Sequence, residues 1–248
     1  MQKKRIWVFT LLGILTLTSA IMYRYYFSNP KPFPSNKQAA AQINHTLLNA
    51  SASVIQDTVD VDQKHKVVPF ISENGDYGLS YWEWKKNKWR IVSVNTGGSP
   101  HIWKVKSDDP STYRLVWNVH PDDQLSYIKF FFIRDRGFFG HDGVETYDPK
   151  IQMEKKIPLQ VKSYGVMKLP NDWVEIMHSA IKIDASKAPG TFFTFQPVNN
   201  QFYFGWIPYD NEDKVANPAS FIGGGWTSGA EIEFVRHLGT AEIEDPKE

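Results

Sequence analysis

The chain has 248 residues, 28 basic against 27 acidic, and no cysteine. Disulfides, thiolate zinc sites and a cysteine nucleophile are therefore excluded. Residues 1–30 hold Lys3, Lys4, Arg5 and Arg24 and no acid, leaving 24 of the 28 basic residues against all 27 acidic ones. That balance of −3 offers no electrostatic basis for nucleic-acid binding, and outside the N-terminus we read no basic run as a second lipid contact.

From Ile6 to Tyr23 the chain runs without a charge. Eighteen residues of helix span about 27 Å, close to the hydrocarbon core of a bilayer. Lys3, Lys4 and Arg5 precede the run and Arg24 follows it, so the positive-inside rule puts the N-terminus in the cytoplasm and the rest outside. Tyr23, Tyr25, Tyr26 and Phe27 suit an aromatic belt at the outer interface. The expected partner of residues 6–23 is thus a lipid bilayer. Thr18-Ser19-Ala20 also allows cleavage as a signal peptide. Cleavage after Ala20 would make the domain a secreted one; either way it is extracytoplasmic.

Residues 28–36 (SNPKPFPSN) carry three prolines in five positions and read as a semi-rigid polyproline II spacer. Ser35 with Gln38 forms a capping box for an amphipathic helix over residues 37–56, with Ile43, Leu47 and Val54 at helical spacing. From Lys66 onward the pattern is short strands. Pro69 marks an edge strand over residues 67–71, and Asn74-Gly75 is a hairpin turn. Further strands are expected over residues 77–84, 89–95, 101–106, 113–119 and 125–134. Residues 136–148 read as a loop rich in Gly and Asp, with a sub-boundary possible near 137–149. Strands resume over 151–164. Residues 171–185 fit a helix capped by Asp172 or a strand alternating through Val174, Ile176 and His178; the surrounding β pattern favours the strand. A hairpin is expected over residues 191–196 and 201–209, and a last strand over 231–236.

The expected fold is mainly β: an antiparallel sandwich or meander over residues 37–248, with one N-terminal amphipathic helix, preceded by a single transmembrane helix. High aromatic content, 15% with nine Trp, agrees with it.

No histidine spacing matches a zinc hydrolase, no serine is framed as a nucleophile elbow, and Gly223–Gly225 lacks the Lys-Ser/Thr of a phosphate loop. His141, Asp142, Glu145 and Asp148 lie within eight residues and offer oxygen and nitrogen ligands for a cation such as Ca²⁺, or carboxylates for a hydrolase. Acidic loops are more often solvated turns. The other candidate is aromatic. Trp82 and Trp84 share one face of their strand, and Trp103 and Trp117 extend such a surface if exposed. Flat rings of that kind stack on sugars or peptides; the plainer reading is core packing. No cofactor is expected.

Residues 81–94 (YWEWKKNKWRIVSV), 101–105 (HIWKV), 113–121 (YRLVWNVHP) and 151–159 (IQMEKKIPL) resemble uncharacterised membrane-anchored extracytoplasmic proteins of Bacillus-type bacteria. The resemblance covers most of the chain after the anchor. It implies a Gram-positive envelope context and transfers no functional residue. Together these features lead to an expected binding module of the cell envelope, its partner an envelope protein or wall polymer. An envelope hydrolase and a subunit of a membrane complex are the alternatives.

Overall fold

The computed structural model describes residues 2–141, 144–186, 202–221, 224–227 and 229–244. Helix α1 is Gln2–Phe27 and helix α2 is Asn36–Thr46. The strands of the first half are β1 (Ala52–Ile55), β2 (Val59–Asp60), β3 (His65–Ser72), β4 (Tyr77–Lys85), β5 (Lys88–Asn95), β6 (His101–Lys104) and β7 (Tyr113–Asn118). Then come β8 (Tyr127–Arg134), β9 (Gly137–His141), β10 (Val144–Asp148), β11 (Ile151–Pro158) and β12 (Tyr164–Lys168). Helix α3 (Asn171–Ser186) precedes β13 (Phe202–Tyr209), β14 (Gly225–Thr227), β15 (Glu231–Phe234) and β16 (Arg236–His237).

The mainly β, antiparallel expectation holds, and the sheets stack in three layers. The first sheet runs β1-β3-β4-β5-β14 with β2 also beside β3; the second runs β12-β7-β6-β15; the third runs β11-β8-β13-β16. Among these pairs only β13 with β16 is parallel. Val67, Leu79 and Tyr81 of the first sheet pack on Trp103 and Val116 of the second. The other face of the second sheet, with Leu115 and Trp117, meets Phe130, Phe132 and Trp206 of the third. Strand β7 is consequently buried at all six positions, the mark of a strand covered on both faces. Phe130-Phe131-Phe132 is two-sided as the sequence suggests: Phe131 points to the outer face of the third sheet, onto Ile207 and Leu238.

Several elements differ from expectation. Residues 171–185 are helical, because Trp173, Met177 and Ala180 recur at helical spacing and bury one face. Trp173 stacks on Phe132, centroids 5.6 Å apart. The helix expected over 37–56 keeps its Ser35–Gln38 capping box but stops at Thr46. Ser51 then takes a left-handed conformation (φ 44°) and the chain turns into β1, so Leu48 and Val54 face solvent. Strand β3 is not an edge. It has β4 on one side and the short β1 and β2 on the other; Pro69, which has no N–H, faces the gap between them and accepts from Gln56 N. Residues 137–141 and 144–148 pair as the antiparallel strands β9 and β10 in place of the expected loop. The strands flanking them, β8 and β11, pair with each other, so β9 and β10 are an excursion from one sheet. The hairpin expected over 191–209 keeps β13; residues 191–196 lie outside the described residues. The Asn74-Gly75 turn holds, with Gly75 at φ 88°.

Candidate functional site

The sequence candidates do not converge. Trp82, Trp84, Trp103 and Trp117 are 0%, 6%, 3% and 5% exposed, so they form no open stacking face. They also belong to different layers: Trp82 and Trp84 lie on the outer face of the first sheet, Trp103 between the first and second, and Trp117 between the second and third. In β10, Glu145 and Asp148 are three residues apart and so sit on opposite faces of the strand. Asp142 lies outside the described residues; His141 is placed opposite Val144 at the end of β9. Among the described residues no three His, Asp or Glu are grouped to hold a metal ion. The acidic run Asp210, Glu212 and Asp213 is a turn device: Asp210 Oδ1 accepts from the amides of Glu212 and Lys214.

A different assembly emerges on the outer face of the first sheet. The two-residue turn at Lys86 and Asn87, both at positive φ (53° and 61°), sets Trp84 directly opposite Trp89 across β4 and β5. Their indole N–H groups reach past the sheet to the proline-rich segment. Trp84 Nε1 donates to Ser28 O at 3.0 Å and Trp89 Nε1 donates to Lys31 O at 2.9 Å. Carbonyls 28 and 31 thus both face the hairpin, the three-residue repeat a polyproline II chain would supply. Phe33 then inserts its ring edge-on between Trp82 (5.0 Å) and Trp89 (5.2 Å). Lys66 lies over the rings of Phe33 and Trp89 and pairs with Asp60. This is the physics by which aromatic grooves recognise proline-rich ligands, here satisfied within one chain. The segment read from sequence as a spacer is therefore docked. Beside it an open trough of about 740 Å³ is walled by Gln38, Gln42, Trp89 and Trp226, the last 36% exposed.

No protein-family model, curated protein or solved structure matches this chain. Its chemistry rests on geometry alone. Signals for the docked segment were present in the sequence as Trp84 and Trp89 flanking a tight KKNK turn. Their target lies more than fifty residues upstream, which no local pattern reveals.

Two further polar groups bear on the interior and on a neighbouring cleft. Between the first and second sheets, His101 is buried beside Tyr81 and Asn95, whose Nδ2 is 3.3 Å from His101 Nε2. Burial pushes the His101 ring down to about 4, the Ser99 backbone partly opposing. Burial also raises the Tyr81 hydroxyl strongly, so both groups are neutral at ordinary pH. Asn118 links the layers, donating to Gln56 Oε1 at 2.7 Å and Gly78 O at 2.8 Å. Gly98 is required there: at φ 62°, a Cβ would lie 2.2 Å from Asn118 O. On the rim of a cleft of about 390 Å³, His65 Nδ1 lies 2.9 Å from both carboxylate oxygens of Asp62. Burial raises the Asp62 carboxyl, but bonds from His65 and the Lys64 amide outweigh it and leave the group lowered. Among the described residues no serine or threonine hydroxyl bonds to His65.

Helix α1 projects from the docked segment. Thr16 Oγ1 donates to Gly13 O and Thr18 Oγ1 to Ile14 O and Leu15 O, so these hydroxyls are satisfied within the helix. Counted over the described residues, no helix is long and apolar enough to cross a membrane.

Proposed function

We propose that this chain is a membrane-tethered module of the cell envelope. In this reading α1 spans the bilayer with Lys3, Lys4 and Arg5 inside, and the β domain stands outside as a binding and interaction module. The observation that carries it is the surface of α1. Trp7 (77% exposed), Phe9, Leu11, Leu12, Leu15 and Leu17 are bare and distributed around the helix, with no single stripe to pack on the sheets. A helix apolar on every side calls for apolar surroundings, and water is a poor one. The complete uncharged run, which includes Ile6, Val8 and Ile21, has the length for that role.

The trough beside the docked segment is the binding face in this reading. Trp226 offers a ring and Gln38 and Gln42 offer amides, a combination suited to a sugar or peptide segment of the wall. In spheroplasts carrying the full chain, the protein should resist alkaline carbonate extraction and be digested by protease added from outside. Recovery in the carbonate supernatant, or protection from external protease, would overturn the tethered reading. Release of a chain beginning at Ile21 would retain the domain and remove the tether. For the trough, cell-wall material should retain the full chain in detergent, and Trp226→Ala should weaken that retention.

A further inference from the structure

We infer that the β4–β5 hairpin tip, with Lys31 of the docked segment, binds the headgroups of anionic phospholipid in the leaflet where α1 emerges. This rests on the tethered reading above and adds a second, electrostatic membrane contact to it.

Position comes first. Ser28 is the residue after the end of α1, and two hydrogen bonds tie it to the hairpin. Trp84 Nε1 holds its carbonyl, and its hydroxyl donates to Asn87 Oδ1 at 3.4 Å. The tip is thus fixed beside the point where the helix leaves the bilayer. A free nine-residue linker would let it wander; the docked one does not.

Charge comes second. Lys85, Lys86 and Lys88 crowd the tip, all exposed, and Lys31 lies on the same side, exposed as well. Among the described residues Glu83 is the one acid paired with the tip, 3.6 Å from Lys85. Among the described residues Lys31, Lys86 and Lys88 have no carboxylate partner. The left-handed turn at Lys86 and Asn87 is tight and polar, with no apolar side chain to insert. That chemistry suits phosphate headgroups rather than acyl chains. These lysines do not conflict with the positive-inside reading, because charge in a large translocated domain does not set orientation. A lysine at an anionic surface contributes about 1 kcal/mol, or roughly fivefold in occupancy, and the contribution is screened by salt.

The test uses the full chain in vesicles of phosphatidylcholine alone or mixed with phosphatidylglycerol. Lysines are acetylated briefly and read out by mass spectrometry. Lys31, Lys86 and Lys88 should react several-fold more slowly in the anionic vesicles, and high salt should abolish the difference. Lys155, exposed on β11, and Lys182 of α3 serve as controls and should not change. Equal reactivity in both vesicle types, with the chain floating with the vesicles, overturns the headgroup contact and leaves the tether standing. A chain that fails to float overturns the tether itself. Equal protection in neutral vesicles by inorganic phosphate would mark a free-anion site and contradict the lipid assignment. In K86Q/K88Q, anionic lipid should protect Lys31 less than in the parent chain.

Discussion

The two outer faces of the stack are each covered by a chain terminus, and they are covered differently. The first sheet is covered by the N-terminal segment through aromatic rings and two buried-side indole hydrogen bonds, from Trp84 to Ser28 and from Trp89 to Lys31. The third sheet is covered by the C-terminal segment. There Leu238 presses against Gly205, where a Cβ would meet it at 2.2 Å, and Ile243 packs nearby. Exposed ion pairs, Arg236 with Glu242 and Arg136 with Glu244, add to hydrogen bonds between the side chains of Lys150 and Gln152 and the backbone of Glu242 and Glu244. The N-terminal segment is held by directional bonds in a ring-lined groove. The C-terminal segment is held partly by charges that water and salt weaken.

The largest effect that could break this contrast is Trp89→Ala. It removes a ring that is 8% exposed, touches Phe33 and Trp84, and holds Lys31. A loss of about 3–5 kcal/mol is expected in denaturant unfolding of the full chain in detergent. A loss below that of a surface substitution would mean the segment is not docked.

Acid sharpens the contrast next. His101 has a folded-state value near 4 against about 6.5 unfolded. The unfolded chain then binds the extra proton between those values, so stability falls as pH drops from about 6.5 toward 4, by roughly 3 kcal/mol in all. Asp62, whose carboxyl is lowered in the folded state, adds loss in the same direction as it is protonated. His101 lies between the first two sheets, so these should part before the third does. His101→Asn should flatten the pH dependence between 6.5 and 4 in urea titrations.

Trp84→Phe is a smaller test. A smaller phenyl ring replaces the indole and the bond to Ser28 O goes, at a cost of about 1–2 kcal/mol, with Ser28 O left short of a donor. Smallest should be Glu242→Gln at the other terminus, well under about 1 kcal/mol and insensitive to added salt once the pair is gone. If Glu242→Gln costs as much as Trp84→Phe, the two termini are held alike.

The sequence carried the local devices well. Ser35 and Gln38 announce the start of α2, and Asn74-Gly75 the β3–β4 turn, because each acts within four residues. It carried the layers poorly. Arg114 and Asn118 alternate with Leu115 and Trp117 as on a half-solvated strand, yet β7 is covered on both faces, and inside it Arg114 donates to Tyr113 O and Asn118 Nδ2 to Gly78 O. Over residues 171–185 Trp173, Ile176, Met177 and Ala180 fit a helix while Val174, Ile176 and His178 fit a strand, and packing on Phe132 decides for the helix. The candidate site was the least legible. Polyproline II has no internal hydrogen bonds, so nothing in residues 28–34 shows whether it stands free or binds. The indoles that bind it are brought near by a hairpin fifty residues away. The same hairpin turns KKNK, unremarkable in the sequence, into a cationic tip beside the end of α1.

Hydrogen exchange at the indole N–H groups of Trp84 and Trp89, followed by NMR on the full chain in bilayer discs, tests the docked segment most directly. Both should exchange as slowly as the backbone amides of β4 and β5. Exchange at the rate of a free indole, while those strands stay protected, would contradict the docking and return residues 28–36 to a spacer.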